Sequence, residues 1–103
     1  MTDQFRVLKG YFAGANGTII KPSGRITKGC LNRDGYFQIK IDYLIYKVSR
    51  LIASAWVPNP RPDIFDLVDH IDGDTKNNQP SNLRWLNHHL NVNWLYREGE
   101  TPP

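Results

Sequence analysis

Two periods of apolar and polar positions run along this chain, and the switch between them falls near residue 47. Before it, short apolar runs are separated by turn residues, so the first part reads as β structure. Phe5 to Leu8 predicts a short strand, and Asn16-Gly17 is a turn signal followed by a strand start at Thr18-Ile19-Ile20. Pro22-Ser23-Gly24 and Arg33-Asp34-Gly35 mark two further turns. Tyr36 to Ile41 then runs as a strand with Phe37, Ile39 and Ile41 on one face and Tyr36, Gln38 and Lys40 on the other. A further short strand is expected over Tyr43 to Tyr46.

From Val48 the period becomes helical. Val48, Leu51, Ile52, Ala55 and Trp56 fall at i, i+3, i+4, i+7 and i+8, which predicts an amphipathic helix over 48–57. Lys47, Arg50 and Ser54 lie on its other side, and Pro58 and Pro60 end it. After a proline-rich connector over 59–63, Leu67-Val68 opens a strand that ends near His70. Asp72 to Asn78 is a polar loop, and Leu83 to Leu86 alternates as a second strand. Asn87 is suited to cap a last helix over 88–96 that buries Leu90 and Trp94. The expected fold class is α+β: a small N-terminal antiparallel β-sheet (1–47) plus a helix (48–57), then a strand-loop-strand-helix unit over 67–96 and a tail at 97–103. All of it is read as one domain over 1–103.

Composition narrows the functional classes. With 103 residues and 40% apolar content the chain suits one domain with a modest core. Its single cysteine, Cys30, rules out an internal disulfide and a zinc site built on paired cysteines. Cys30 is expected to be a small, partly buried side chain. No apolar run approaches a membrane span, and the N-terminus carries no signal-peptide core. The expected setting is intracellular and cytoplasmic, with no membrane partner. A net charge of +3 permits a polyanionic partner without demonstrating one.

The strand-loop-strand-helix unit concentrates the polar chemistry. Asp69 and His70 end its first strand, Asn82 opens its second, and Asn91 lies one helical turn past the cap, beside the Leu90/Trp94 face. If that face packs on the hairpin, Asn91 points back, and four polar groups from three elements are expected to meet in one cleft. Phosphodiester hydrolysis needs such a set. An imidazole can take a proton from water at neutral pH. A carboxylate and an amide oxygen are hard donors for one divalent cation, Mg²⁺ first and Mn²⁺ second, whose open positions take phosphate and water.

Other polar residues read more plainly. Asp72 and Asp74 do not meet the spacing of a calcium loop and are turn formers with Gly73. His88 and His89 project about 100° apart on a helix, so they make a poor pair of ligands for one ion. Trp56, Trp85 and Trp94 occupy core positions. Arg33, Lys40, Lys47, Arg50, Lys76 and Arg84 form a candidate phosphate track. Each alone is more often a solvated charge, and about half are expected to touch DNA backbone if the site is real.

The block Val68-Asp69-His70-Ile71-Asp72-Gly73-Asp74-Thr75-Lys76-Asn77-Asn78, then Ser81-Asn82-Leu83-Arg84-Trp85, then Asn91, resembles the HNH endonucleases of phages and group I introns. Val48 to Pro58 resembles the helix that precedes the motif in that family, and Asp34-Gly35-Tyr36 the strand before it, so the likeness spans about residues 35 to 94. It implies a C-terminal ββα-metal (His-Me) finger that hydrolyses DNA phosphodiester bonds, nicking one strand at a time. It further implies that His70 is the general base, that Asn82 supports the catalytic loop, and that Asp69 is the acidic metal ligand. Asn91 takes the place of the last histidine of the motif. The implied cofactor is one divalent cation with no structural zinc. The implied partner is DNA, with a protein partner or a homodimer left open. One departure stands out: Ser49 occupies a position where the family usually has a histidine. It motivates an alternative, a catalytically inactive DNA-binding module that keeps the finger. A small interaction protein that merely resembles the motif is the remaining rival.

Overall fold

The turn-rich first part folds into two antiparallel sheets where one was expected. The computed structural model describes residues 4–87. The first sheet runs β1 (Gln4–Leu8), β2 (Tyr11–Gly14), β3 (Ile19–Ile20) and β4 (Ile26–Thr27), in that order. The second runs β5 (Cys30–Leu31), β6 (Phe37–Ile41) and β7 (Leu44–Lys47). The expected strands appear as β1, β3, β6 and β7, with β7 displaced by one residue. The displacement follows from the turn before it, where Asp42 and Tyr43 both take positive φ and close a tight hairpin. Cys30 is exposed, which corrects the expectation of partial burial. It sits on a two-residue edge strand.

The helix α1 (Val48–Trp56) leaves β7 directly and ends where Val57 donates to the Ala53 carbonyl, just before Pro58. Val48, Leu51 and Ile52 are buried as the period requires, and Ser49 and Ala53 join them. The buried face is wide because α1 meets both N-terminal sheets and the C-terminal hairpin. Ala13, Ile19, Ile39, Ile41, Val48, Ile52 and Leu83 make one core across all these elements. Two indoles tie the layers: Trp56 Nε1 donates to the Ala13 carbonyl and Trp85 Nε1 to the Val57 carbonyl, each at 2.9 Å.

The C-terminal hairpin is β8 (Phe65–His70) and β9 (Leu83–Asn87), joined by the polar loop and a 3₁₀ turn at Pro80–Asn82. Its register pairs Val68 with Trp85, Asp69 with Arg84, and His70 with Leu83. Opposed residues of an antiparallel pair share a face. Val68, His70, Leu83 and Trp85 therefore face the core, while Leu67, Asp69, Arg84 and Leu86 face away from it. The expected last helix over 88–96, the tail, and with them His88, His89, Leu90, Asn91 and Trp94, lie outside the described residues. Among the described residues no helix is long and apolar enough to cross a membrane.

Candidate active site

The loop between β8 and β9 is built from side chains that replace a regular backbone ladder. Asn82, buried at its end, accepts from the Asp72 backbone N–H at 3.0 Å and donates through Nδ2 to Asp72 Oδ1 and to the Asn77 carbonyl, both at 2.9 Å. Asn77 in turn donates to Asp72 Oδ2 at 3.1 Å. Asp72 also accepts from the Asp74 N–H at 2.7 Å, the local turn expected of an Asp-Gly-Asp run. That backbone bond first, then the amides of Asn77 and Asn82, hold the Asp72 carboxyl below its ordinary pKa. Asn82 thus spans the loop from end to end.

His70 stands where β8 enters this loop and is only 6% exposed. Its Nε2 lies 2.8 Å from the amide oxygen of Asn78, which is equally buried. The Tyr36 ring, at the start of the second sheet's β6, sits 6.0 Å from the imidazole, and Lys47 Nζ lies 4.4 Å from the Tyr36 ring centre. The one cleft expected to gather Asp69, His70 and Asn82 is not what the described residues form: His70 sits in a close polar and aromatic setting on the core side of the hairpin, and alternation along β8 sends Asp69 to the other face.

Asp69 lies on the opposite face of the hairpin. Its Oδ2 receives both Arg84 Nε and Nη2 at 2.8 Å, and the pair is about one-third exposed (side chains 31% and 32%). Both contacts fall on one oxygen. Asn91, the expected second ligand, is outside the described residues. No group of three or more histidine, cysteine or acidic side chains gathers among the described residues. Asp69 is a hard oxygen donor of the kind a divalent cation takes.

The candidate phosphate track divides. Arg84 is held by Asp69, while the Arg50 guanidinium donates to the Asp66 carbonyl and lies 5.6 Å from the Trp85 ring. Arg33, Lys40, Lys47 and Lys76 are exposed. Lys40 and Lys47 stand near Tyr43 and Tyr36 on the outer face of the second sheet. Ser49, where a histidine was anticipated, is buried in α1.

Two residues beside His70 escape a reading of the sequence. Asn78 belongs to the Asn77-Asn78 pair of the polar loop, but nothing in the spacing says which of the two meets the imidazole. Tyr36 is distant in sequence and comes to His70 only through the packing of the second sheet on the hairpin loop, where Thr75 Oγ1 donates to the Gly35 carbonyl at 2.6 Å.

Residues 66–93 match the family described as HNH endonuclease. Two proteins of Acanthamoeba polyphaga mimivirus, both named as uncharacterized HNH endonucleases, are 38% identical over 66 residues and 33% identical over 81 residues. These matches cover 59% and 75% of this chain but only 17% and 24% of the viral proteins. A solved structure, "DNA binding and cleavage by the HNH homing endonuclease I-HmuI", matches with a TM-score of 0.66 at 28% identity, over 81% of this chain and 49% of that one.

Proposed function

This chain carries a finger segment of the HNH endonuclease family, and on that premise we propose that it is a metal-dependent DNA endonuclease that nicks one strand. The observation that carries the reading is His70 at the mouth of a loop braced end to end by Asn82, inside the segment the family match covers. His70 takes a proton from a water that attacks phosphorus in line. Asn82 fixes the loop so that the imidazole has one position. Asp69 and Asn91 would hold one divalent cation, Mg²⁺ before Mn²⁺, which when bound stabilises charge on the phosphate and the leaving oxygen. Arg33, Lys40, Lys47 and Lys76 neutralise backbone phosphates, giving an affinity that falls with salt and carries no sequence choice. Arg50 and Arg84 serve the fold and the Asp69 carboxylate.

A second reading is favoured by two observations: His70 is almost enclosed, and Asp69 already holds Arg84. On that reading the chain binds duplex DNA without cutting it. Supercoiled-plasmid nicking with Mg²⁺ or Mn²⁺, compared between wild type, His70→Ala and a chelator control, separates them. Nicking lost in both controls supports the endonuclease. Equal nicking by His70→Ala overturns the base assignment. Salt-sensitive binding with no nicking under any divalent ion establishes the second reading.

A further inference from the structure

We infer that Asn78 is a positioning residue that locks the His70 imidazole in a single tautomer, and that the Asn16–Gly17 turn of the first sheet is the stop that sets Asn78. The inference rests on the reading of His70 as the base and specifies which ring nitrogen does the work.

A carbonyl oxygen can only accept a hydrogen bond. With Asn78 Oδ1 facing His70 Nε2 at 2.8 Å, the bond forms when the hydrogen is on Nε2. In the neutral ring the lone pair is then left on Nδ1, and Nδ1 is the atom able to take a proton from water. Both side chains are 6% exposed, so water competes little for this bond and the low local dielectric strengthens it. Flipping the ring by half a turn would set a carbon against the amide oxygen and forfeit the bond. The contact thus fixes tautomer and orientation together. The Tyr36 ring also neighbours the imidazole, with its centre 6.0 Å away and its plane tilted by 55°.

Asn78 has its own restraint. Gly17 is buried at φ +84°, and a Cβ there would lie 2.5 Å from the Asn78 carbonyl oxygen, 2.6 Å from its carbon and 2.8 Å from the Gln79 nitrogen. The turn itself is closed by the Gly17 N–H to the Gly14 carbonyl at 3.1 Å and the Gly14 N–H to the Thr18 carbonyl at 2.8 Å. Backbone touches backbone here with no side chain between, so the first sheet sets the height of Asn78 and, through it, the ring of His70. Asn16-Gly17 is thus more than a hairpin turn: its missing Cβ is the condition for the contact.

The test reads the ring directly. Imidazole ¹⁵N shifts of His70 are recorded in the full chain at a pH where the ring is neutral, with the signal assigned by its loss in His70→Ala. Wild type is expected to show the hydrogen on Nε2 alone. Asn78→Ala should populate both tautomers, with kcat for plasmid nicking down about 10- to 100-fold and KM within about 2-fold. Asn78→Asp, which still accepts from Nε2, should restore the single tautomer and exceed the kcat of Asn78→Ala. Gly17→Ala should mix the tautomers in part. A hydrogen on Nδ1 in wild type overturns the proposal even if every variant fails to fold. An unchanged tautomer and kcat in Asn78→Ala also overturn it, and an unchanged tautomer in Gly17→Ala overturns the role of the turn. Because the shifts are read without cleavage, a locked Nε2–H tautomer alongside full nicking by His70→Ala would sink the base assignment alone.

Discussion

The two N-terminal sheets with α1 and the loop of the C-terminal hairpin are held by different physics. The first region is closed by burial of Ala13, Ile19, Ile39, Ile41, Val48 and Ile52 against one another. The second buries little carbon. Asp72, Asn77, Asn78 and Asn82 hold it through side-chain hydrogen bonds, and Asn82 alone serves three partners. Apolar burial is non-directional and roughly proportional to area, so it weakens by degrees. A buried amide that serves several partners is satisfied as a set, and one deletion leaves several groups without a bond. The scaffold is thus expected to be tolerant and the site brittle.

The largest loss of global stability should come from the scaffold. Ile52 is fully buried where α1 meets the sheets, and Ile52→Ala should cost about 4 kcal/mol through lost transfer energy and the cavity left behind. Urea titration measures it. The folded fraction should keep its His70 ring signals, because the deletion lies in the apolar core. A change in those signals would show that scaffold and site are not separable.

Asn82→Ala should cost less globally and more locally. It leaves the Asp72 N–H and the Asn77 carbonyl without their bonds, and Asp72 Oδ1 with the Asp74 N–H alone. Much of the loop is exposed and water can partly replace these partners, so about 2 kcal/mol is expected. Amide hydrogen exchange over 71–79 should rise while the α1 amides stay protected. Nicking should fall with it. Asn82→Asp keeps the acceptor for the Asp72 N–H but sets a second carboxylate against Asp72 Oδ1 and the Asn77 carbonyl, so it should loosen the loop at least as much as Asn82→Ala. Equal exchange in loop and helix would break the contrast between the two regions.

The same contrast governs what the sequence discloses. β6, α1, β8 and β9 are long enough for a period to register, and their boundaries fall within two residues of expectation. β2, β4 and β5 span two to four residues and show no period of their own. β2 starts from a turn that places Lys9 at positive φ, and the turn between β6 and β7, which displaces β7, does the same to Asp42 and Tyr43. In the candidate site, Asp69, His70 and Asn82 stand out in the sequence by the motif they belong to and by their places at the strand ends. Which face each takes is not, because it depends on the register of β8 on β9 and on an irregularity between Phe65 and Leu67. One residue of slip would exchange the faces of Asp69 and His70. The partnerships of Asn78 and Tyr36 with His70 join segments that only the tertiary packing brings together.

Acid should act on the loop before the scaffold. The Asp72 carboxyl is held below its ordinary pKa by bonds that favour its charged form, led by the Asp74 N–H. A group depressed in the folded state contributes stability above its ordinary value, and that contribution is lost as pH falls through the depressed one. Loop amides should therefore exchange faster with falling pH in the acid range, after correction for intrinsic rates. Asp72→Asn removes this charge and should flatten that slope. A slope unchanged in Asp72→Asn would assign the acid sensitivity elsewhere.

The smallest effect is expected where the two N-terminal sheets meet through charge. Lys9 Nζ lies 3.0 Å from Asp42 Oδ2, linking the β1–β2 turn to the β6–β7 turn, but both side chains are more than three-fifths exposed. Such a pair contributes about 0.5 kcal/mol or less. Lys9 also sits at φ 51°, a left-handed conformation that glycine adopts without a Cβ penalty. Lys9→Gly therefore loses a weak ion pair and relieves a strained backbone, with extra chain entropy in the unfolded state opposing the gain. The net should lie within about 0.5 kcal/mol of wild type by urea titration. Asp42→Ala lacks the compensating relief and should be the more destabilised of the two. A cost above about 1 kcal/mol for Lys9→Gly would mean that polar contacts also hold the scaffold, and the division between a region closed by carbon and one closed by amides would fail at its simplest point.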